Sequence, residues 1–269
     1  MRIYPITKLL TMAAAFAVVT SVHAQEQSVY SVNIVGFQKV ELADQSQFSL
    51  MSVPFDIGDG TLGDIFGTNT LYGSASPGLA DRLRFWDTAE QVYVNVGVGP
   101  DGKFYRQTSG GGWVSPLEEV NFEVELGEGF WIVSSGEAGS DRDVILAGDV
   151  IADESFSYNF FTGFHVLAFP FSAPIDLQDT SFASSGASAS AAPGAADRVR
   201  VWDRDEQAYV NYGLGPDGNW YLQTSAGAWV SPLELADHTL QPGEAFFYFA
   251  QESFTWTEPN PYLDIFSAD

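Results

Sequence analysis

The chain has 269 residues, 45% hydrophobic and 14% aromatic, with 11 Lys+Arg against 35 Asp+Glu, a formal net charge of −24 and no cysteine. That composition holds enough apolar material for a core and excludes global disorder, disulfides, thiolate metal sites and a cysteine nucleophile. So acidic a chain is also a poor match for a nucleic-acid backbone, which calls for a basic stripe.

The first 24 residues read as a secretory signal. Arg2 and Lys8 give a positive start, and Leu9 to Val19 forms an apolar stretch interrupted only by Thr11. Val22 and Ala24 place acceptable residues before a cleavage point after Ala24. The expected location is secreted, periplasmic or cell-surface, with no membrane insertion, because no later run approaches about 18 apolar residues. Removing two basic residues leaves 9 − 35 = −26 on the exported chain.

An internal repeat dominates the rest of the chain. Residues 74–118 and 190–234 align without a gap at an offset of 116, and 31 of the 45 pairs are identical. Weaker similarity extends outwards: Phe48 to Phe55 aligns with Phe164 to Phe171, and Gly127 to Trp131 with Gly243 to Phe247. We therefore expect two tandem domains, 25–145 and 146–269.

Within each repeat the pattern is strands. Asp81 to Trp86 alternates and ends in a turn at Asp87–Glu90, and Gln91 to Val96 alternates again. Gly99-Pro100-Asp101-Gly102 has turn chemistry, after which Phe104 to Gln107 runs back. Gly127 to Val133 and Ala245 to Ala250 read as buried strands. Helical periodicity is confined to Leu62–Phe66 and Leu177–Phe182, and Ser184–Ala192 reads as loop. The expected fold class is all-β: two copies of a small antiparallel sandwich or barrel-like domain, with at most one short helix each.

The phrase Phe164 to Pro170 (FHVLAFP) resembles the "GWNLIS-x-P" start of a module common in exported bacterial proteins. Leu126 to Trp131 (LGEGFW) and Gln241 to Phe247 (QPGEAFF) are similar to its "PGxGYW" end. Segments such as Val201-Trp202-Asp203 and Tyr209-Val210-Asn211 match its central hairpin. The chain departs from the pattern at Leu126, where the module has Pro, and at Ala245, where it has Gly. The resemblance implies an all-β exported module and brings no catalytic residues with it.

Strand parity defines a candidate face. Arg82, Arg84 and Trp86 share one side of their strand, and Gln91, Tyr93 and Asn95 share one side of the next. In the second repeat the set is Arg198, Arg200, Trp202, Gln207, Tyr209 and Asn211. Aromatic rings beside planar polar groups suit sugar recognition. The same pattern also serves a sheet face that holds itself together by guanidinium–ring stacking and cross-strand pairs. Asp81, Asp87 and Glu118 are candidate partners for the arginines.

No catalytic set emerges. His165 and His238 occupy non-equivalent positions, and the adjacent acids Glu118 and Glu119 point to opposite faces of a strand. Asp101 and Asp217 lack calcium-loop spacing. The acidic stretch Asp141, Asp143, Asp149, Asp153 and Glu154 leaves room only for weak, unspecific Ca²⁺, and no other cofactor is expected. The functional expectation is a non-enzymatic structural or adhesive module whose partner is an extracellular glycan or another surface protein. The alternative is a carbohydrate-binding protein using the Arg/Trp/Tyr face, with a secreted hydrolase third. Burial of Trp86 and Trp202 would weaken the sugar reading.

Overall fold

The computed structural model describes residues 35–42, 47–58, 60–67, 71–135 and 142–262. The signal segment and Asp141 lie outside them. Alternating apolar residues in the first repeat form β1 (Val35–Glu41), β2 (Phe48–Ser52), β3 (Arg82–Asp87), β4 (Val92–Val98), β5 (Phe104–Gln107), β6 (Gly129–Val133) and β7 (Asp143–Asp149). A single-turn helix α1 (Leu62–Phe66) follows β2, started by a capping box between Thr61 and Asp64.

The second repeat supplies β8 (Ser155–Phe160), β9 (Gly163–Ala168), the short β10 (Ile175–Asp176), α2 (Phe182–Ser185), β11 (Arg198–Asp203), β12 (Ala208–Leu214), β13 (Trp220–Gln223), the short β14 (Thr239–Leu240), β15 (Ala245–Ala250) and β16 (Phe254–Pro259). The chain is all-β. The helix expected over Leu177–Phe182 divides into a 3-10 turn at Leu177–Asp179 and α2, so the start of the expected 184–192 loop is helical.

Both repeats build one topology. The antiparallel sheet β2-β6-β3-β4-β5 matches β9-β15-β11-β12-β13 strand for strand. A two-stranded ribbon accompanies each sheet, β1–β7 in the first repeat and β8–β16 in the second. β7 pairs with β1 over its whole length, from Val35 opposite Asp149 to Glu41 opposite Asp143. The described residues belong to one compact unit.

Each sheet has one face on its own core. Phe66, Leu83, Phe85, Phe130 and Ile132 are buried in the first repeat, and Phe182, Val199, Trp220, Phe246 and Tyr248 in the second. The parity expected for β3 and β4 holds: Leu83 opposes Val96 and Phe85 opposes Val94 on the core side, while Arg84 opposes Asn95 and Trp86 opposes Tyr93 on the other. Glycines interrupt β4 and β12 at Gly97 and Gly213, where a Cβ would meet the Trp113 or Trp229 indole at 2.7 Å.

Phe48, Leu50, Phe164 and Val166 belong to a third cluster. It lies between the two sheets and holds the candidate rings.

Candidate functional site

Trp86, Tyr93, Trp202 and Tyr209 all pack against that third cluster, around Leu50, Trp131, Val166 and Phe247. Trp131 meets Trp202 at 5.0 Å edge-to-face, and its pseudo-equivalent Phe247 meets Trp86 at 6.3 Å. The candidate ligand faces of the two repeats thus turn towards each other, and the rings are half-buried against the opposite repeat.

Hydrogen bonds repeat about a pseudo-two-fold axis. Trp86 Nε1 donates to Phe164 O at 2.8 Å, and Trp202 Nε1 to Phe48 O at 3.0 Å. Gln91 clasps Phe164, donating from Nε2 to its carbonyl and accepting its N–H at Oε1, both at 2.9 Å. Gln207 does the same to Phe48 at 3.1 and 2.9 Å. Ser52 N donates to Gly243 O and Ala168 N to Gly127 O, each at 2.9 Å. These bonds occupy the outer edges of β2 and β9, the terminal strands of the two sheets, which would otherwise stand open.

Both glutamines sit at positive φ, 54° and 48°, in the tight turn after β3 or β11. Asp87 and Asp203 hold those turns, each accepting two backbone N–H bonds at 2.9–3.0 Å.

The interface accounts for two sequence features. The outward residues of the central hairpin, Arg82, Arg84, Trp86, Gln91, Tyr93 and Asn95, are identical in the second repeat, while its core face varies, for example Leu83 with Val199 and Phe85 with Val201. In a self-complementary contact each such residue is used twice, once per half, whereas each core is packed separately. The departure at Ala245 is steric: a Cβ on its equivalent, Gly129, would lie 2.7 Å from the Ala245 Cβ and 2.8 Å from Val166 Cγ1. The two positions face each other, and only one has room for a methyl group.

The arginines find ring and amide partners rather than the expected carboxylates. Arg84 lies 4.3 Å over Tyr93 and donates from Nε to Asn95 Oδ1 at 3.0 Å. Arg198 covers Phe249 at 4.6 Å and Arg200 covers Phe164 at 5.5 Å. Arg82 makes no ion pair among the described residues, and Asn211 is buried with its Oδ1 unpartnered. Glu118 pairs with Arg106 at 3.1 Å, and Asp81 with Arg142.

The remaining candidates are tied into the fold. His165 is fully buried between Tyr158 Oη at 3.0 Å and Phe161 O at 2.7 Å, and burial lowers its pKa. His238 lies 2.9 Å from Glu244. Asp101 and Asp217 accept from Tyr105 and Tyr221 at the hairpin turns. Lys39 pairs with Asp143 at 2.9 Å. Among the described residues no group of three His, Asp or Glu side chains is placed to hold a metal ion. No described helix is long and apolar enough to cross a membrane.

Sequence reasoning missed Glu128. It lines a cavity of about 290 Å³ with Trp86, Glu123, Glu125, Tyr158 and Leu167, and its backbone bridges to Leu167 of the other repeat. Burial pushes its carboxyl from the ordinary 4.5 up to about 7, with the Glu125 charge adding to the shift and a bond from Glu125 N opposing it. The equivalent Glu244 has His238 beside it, where the first repeat has Phe122. A raised carboxyl pKa means that the folded chain binds more protons than the unfolded one between about 4.5 and 7. Stability is therefore lost as pH rises through that window, on the order of 3 kcal/mol. Urea titrations of wild type and Glu128→Gln across the window should show wild type losing more stability than the variant, by that amount. Parallel curves would contradict this account.

No protein-family model matches the chain, and a search of curated proteins returns no match.

Proposed function

We propose that this chain is an exported, non-enzymatic structural or adhesive module. Its two repeats act as one rigid body that presents ribbons and turns to a partner. The observation that carries this reading is the use made of the Arg/Trp/Tyr face: four matched pairs of hydrogen bonds and the central rings join one repeat to the other. A signal-like start, a net charge suited to solubility and the resemblance to exported modules supply the address. Both histidines of the exported chain are engaged in the fold, which leaves them poorly placed for general acid–base work.

Carbohydrate binding through Trp86/Tyr93 and Trp202/Tyr209 would require the repeats to part, because the rings lean on each other. Protease treatment of intact cells, together with a glycan array of the purified chain, tests the reading. The expected result is digestion on intact cells and no glycan retained. Glycan retention that Trp86→Ala abolishes while the variant stays folded would replace it with the carbohydrate-binding reading.

A further inference from the structure

We propose that the outer edge of β1 is an interaction surface for a second copy of this chain, the two β1 strands pairing antiparallel about a two-fold axis at Phe37. The inference goes beyond the module reading and stands on different residues.

Ribbon parity comes first. Leu42 N donates to Arg142 O at 2.8 Å. In an antiparallel pair, residues bonded to the partner alternate with residues whose N–H and C=O face away. The even-numbered residues of β1 therefore face β7, and Val35, Phe37, Lys39 and Glu41 turn theirs outward. Glu41 O accepts from Arg204 at 2.8 Å. Among the described residues, nothing bonds to the outward groups of Val35, Phe37 and Lys39. A row of this kind is a template for another strand.

The side chains agree. Val35, Phe37 and Ile145 are 52%, 73% and 66% exposed on one face of the ribbon. The matching face of β8–β16 carries hydroxyl and amide groups that satisfy one another, Ser157 with Thr257 at 3.1 Å and Thr255 with Asn159 at 2.8 Å. The fold thus accepts a polar ribbon in this position, and the apolar one needs another reason. A cavity of about 510 Å³, lined by Phe37 with Pro242 and Tyr262, borders the strand.

Register selects the occupant. Outward residues must meet outward residues. Centring on Phe37 sets Phe37 against itself and Val35 against Lys39 twice, with the lysine stem along the valine. Centring on Lys39 would oppose two ammonium groups and drive the Arg204 cap of each chain into the other. One register is favoured and its neighbour penalised, as in a specific self-contact. Two exported chains at 9 − 35 = −26 each repel at long range, so salt should strengthen this dimer, whereas it would weaken the docking of a basic partner.

Sedimentation of the chain expressed from Gln25, over a range of concentrations at about 10 mM and about 150 mM salt, is the first test. The dimer fraction should rise with both variables. Phe37→Pro removes an outward N–H and no bond to β7. It should raise the dimer dissociation constant at least about tenfold with unchanged circular dichroism. The chain has no cysteine, so register can be read by oxidation. Phe37→Cys should form a disulfide dimer, because residues in a hydrogen-bonded pair have Cα atoms about 5.5 Å apart. Val35→Cys alone should not, but Val35→Cys mixed with Lys39→Cys should. A monomer under all conditions overturns the proposal. So does a dimer that survives Phe37→Pro, or cross-linking of Phe37→Cys no faster than of Ser157→Cys. Should Phe37→Pro unfold the chain, the cysteine series decides.

Discussion

Trp202→Ala lowers the free energy of unfolding by about 3–5 kcal/mol, and Trp86→Ala by somewhat less. The Trp202 ring packs edge-on to Trp131 at 5.0 Å and to Tyr209 at 4.9 Å, and its N–H donates to Phe48 O. Truncation leaves a hole between the sheets that neither backbone can follow, since Gln207 still clasps both polar groups of Phe48. Trp86 has the smaller Phe247 where Trp202 has Trp131, hence the smaller loss. The interface also couples the two repeats, so wild type should unfold in a single transition and Trp202→Ala should begin to separate it into two. Urea titrations followed by fluorescence and far-ultraviolet dichroism give both readouts. A loss under about 1 kcal/mol with coincident transitions would mean that the rings do little to join the repeats.

Strand parity made the two-sided sheet legible from the sequence alone. Alternation separated Leu83 and Phe85 from Arg84 and Trp86, and the structure keeps that division. Alternation does not reveal what covers a face. Part of each repeat's outward face is closed by the other repeat, a long-range fact that no local pattern carries. The clue lay in the central hairpin of the repeat: identity on its outward face and variation on its core face. A face that serves both halves of a symmetric contact has that signature, although recent duplication produces much of it too. Phe48 and Leu50 are apolar residues two apart, a pattern that does not distinguish a repeat's own core from a contact between repeats. Their position on a terminal strand, which decides that they serve the inter-repeat cluster, is a property of topology. Gln91 and Gln207 stood on the outward face, but their clasp needs a left-handed turn residue, which only the backbone shows.

Buried charge is where the repeats diverge most, and it yields the second large effect. Asp81 and its equivalent Asp197 are both fully buried at the start of the central hairpin. Asp81 accepts backbone bonds from Tyr72 at 2.7 Å and Ser135 at 2.6 Å, and Arg142 adds bonds at 2.5 and 3.2 Å. Asp197 has the matching backbone bonds from Ser188 and Gln251, but a neutral hydroxyl, Tyr248 Oη at 2.8 Å, replaces the cation. Burial raises the Asp197 pKa despite those three donors. Arg142→Met therefore strands a buried carboxylate without its counter-charge and costs about 3–5 kcal/mol at neutral pH. Tyr248→Phe deletes one hydrogen bond to Asp197 and costs about 1–3 kcal/mol. Urea titrations of wild type, Arg142→Met and Tyr248→Phe at pH 7 measure both losses. A penalty below about 1 kcal/mol for Arg142→Met would show that the two backbone N–H groups alone satisfy this carboxylate.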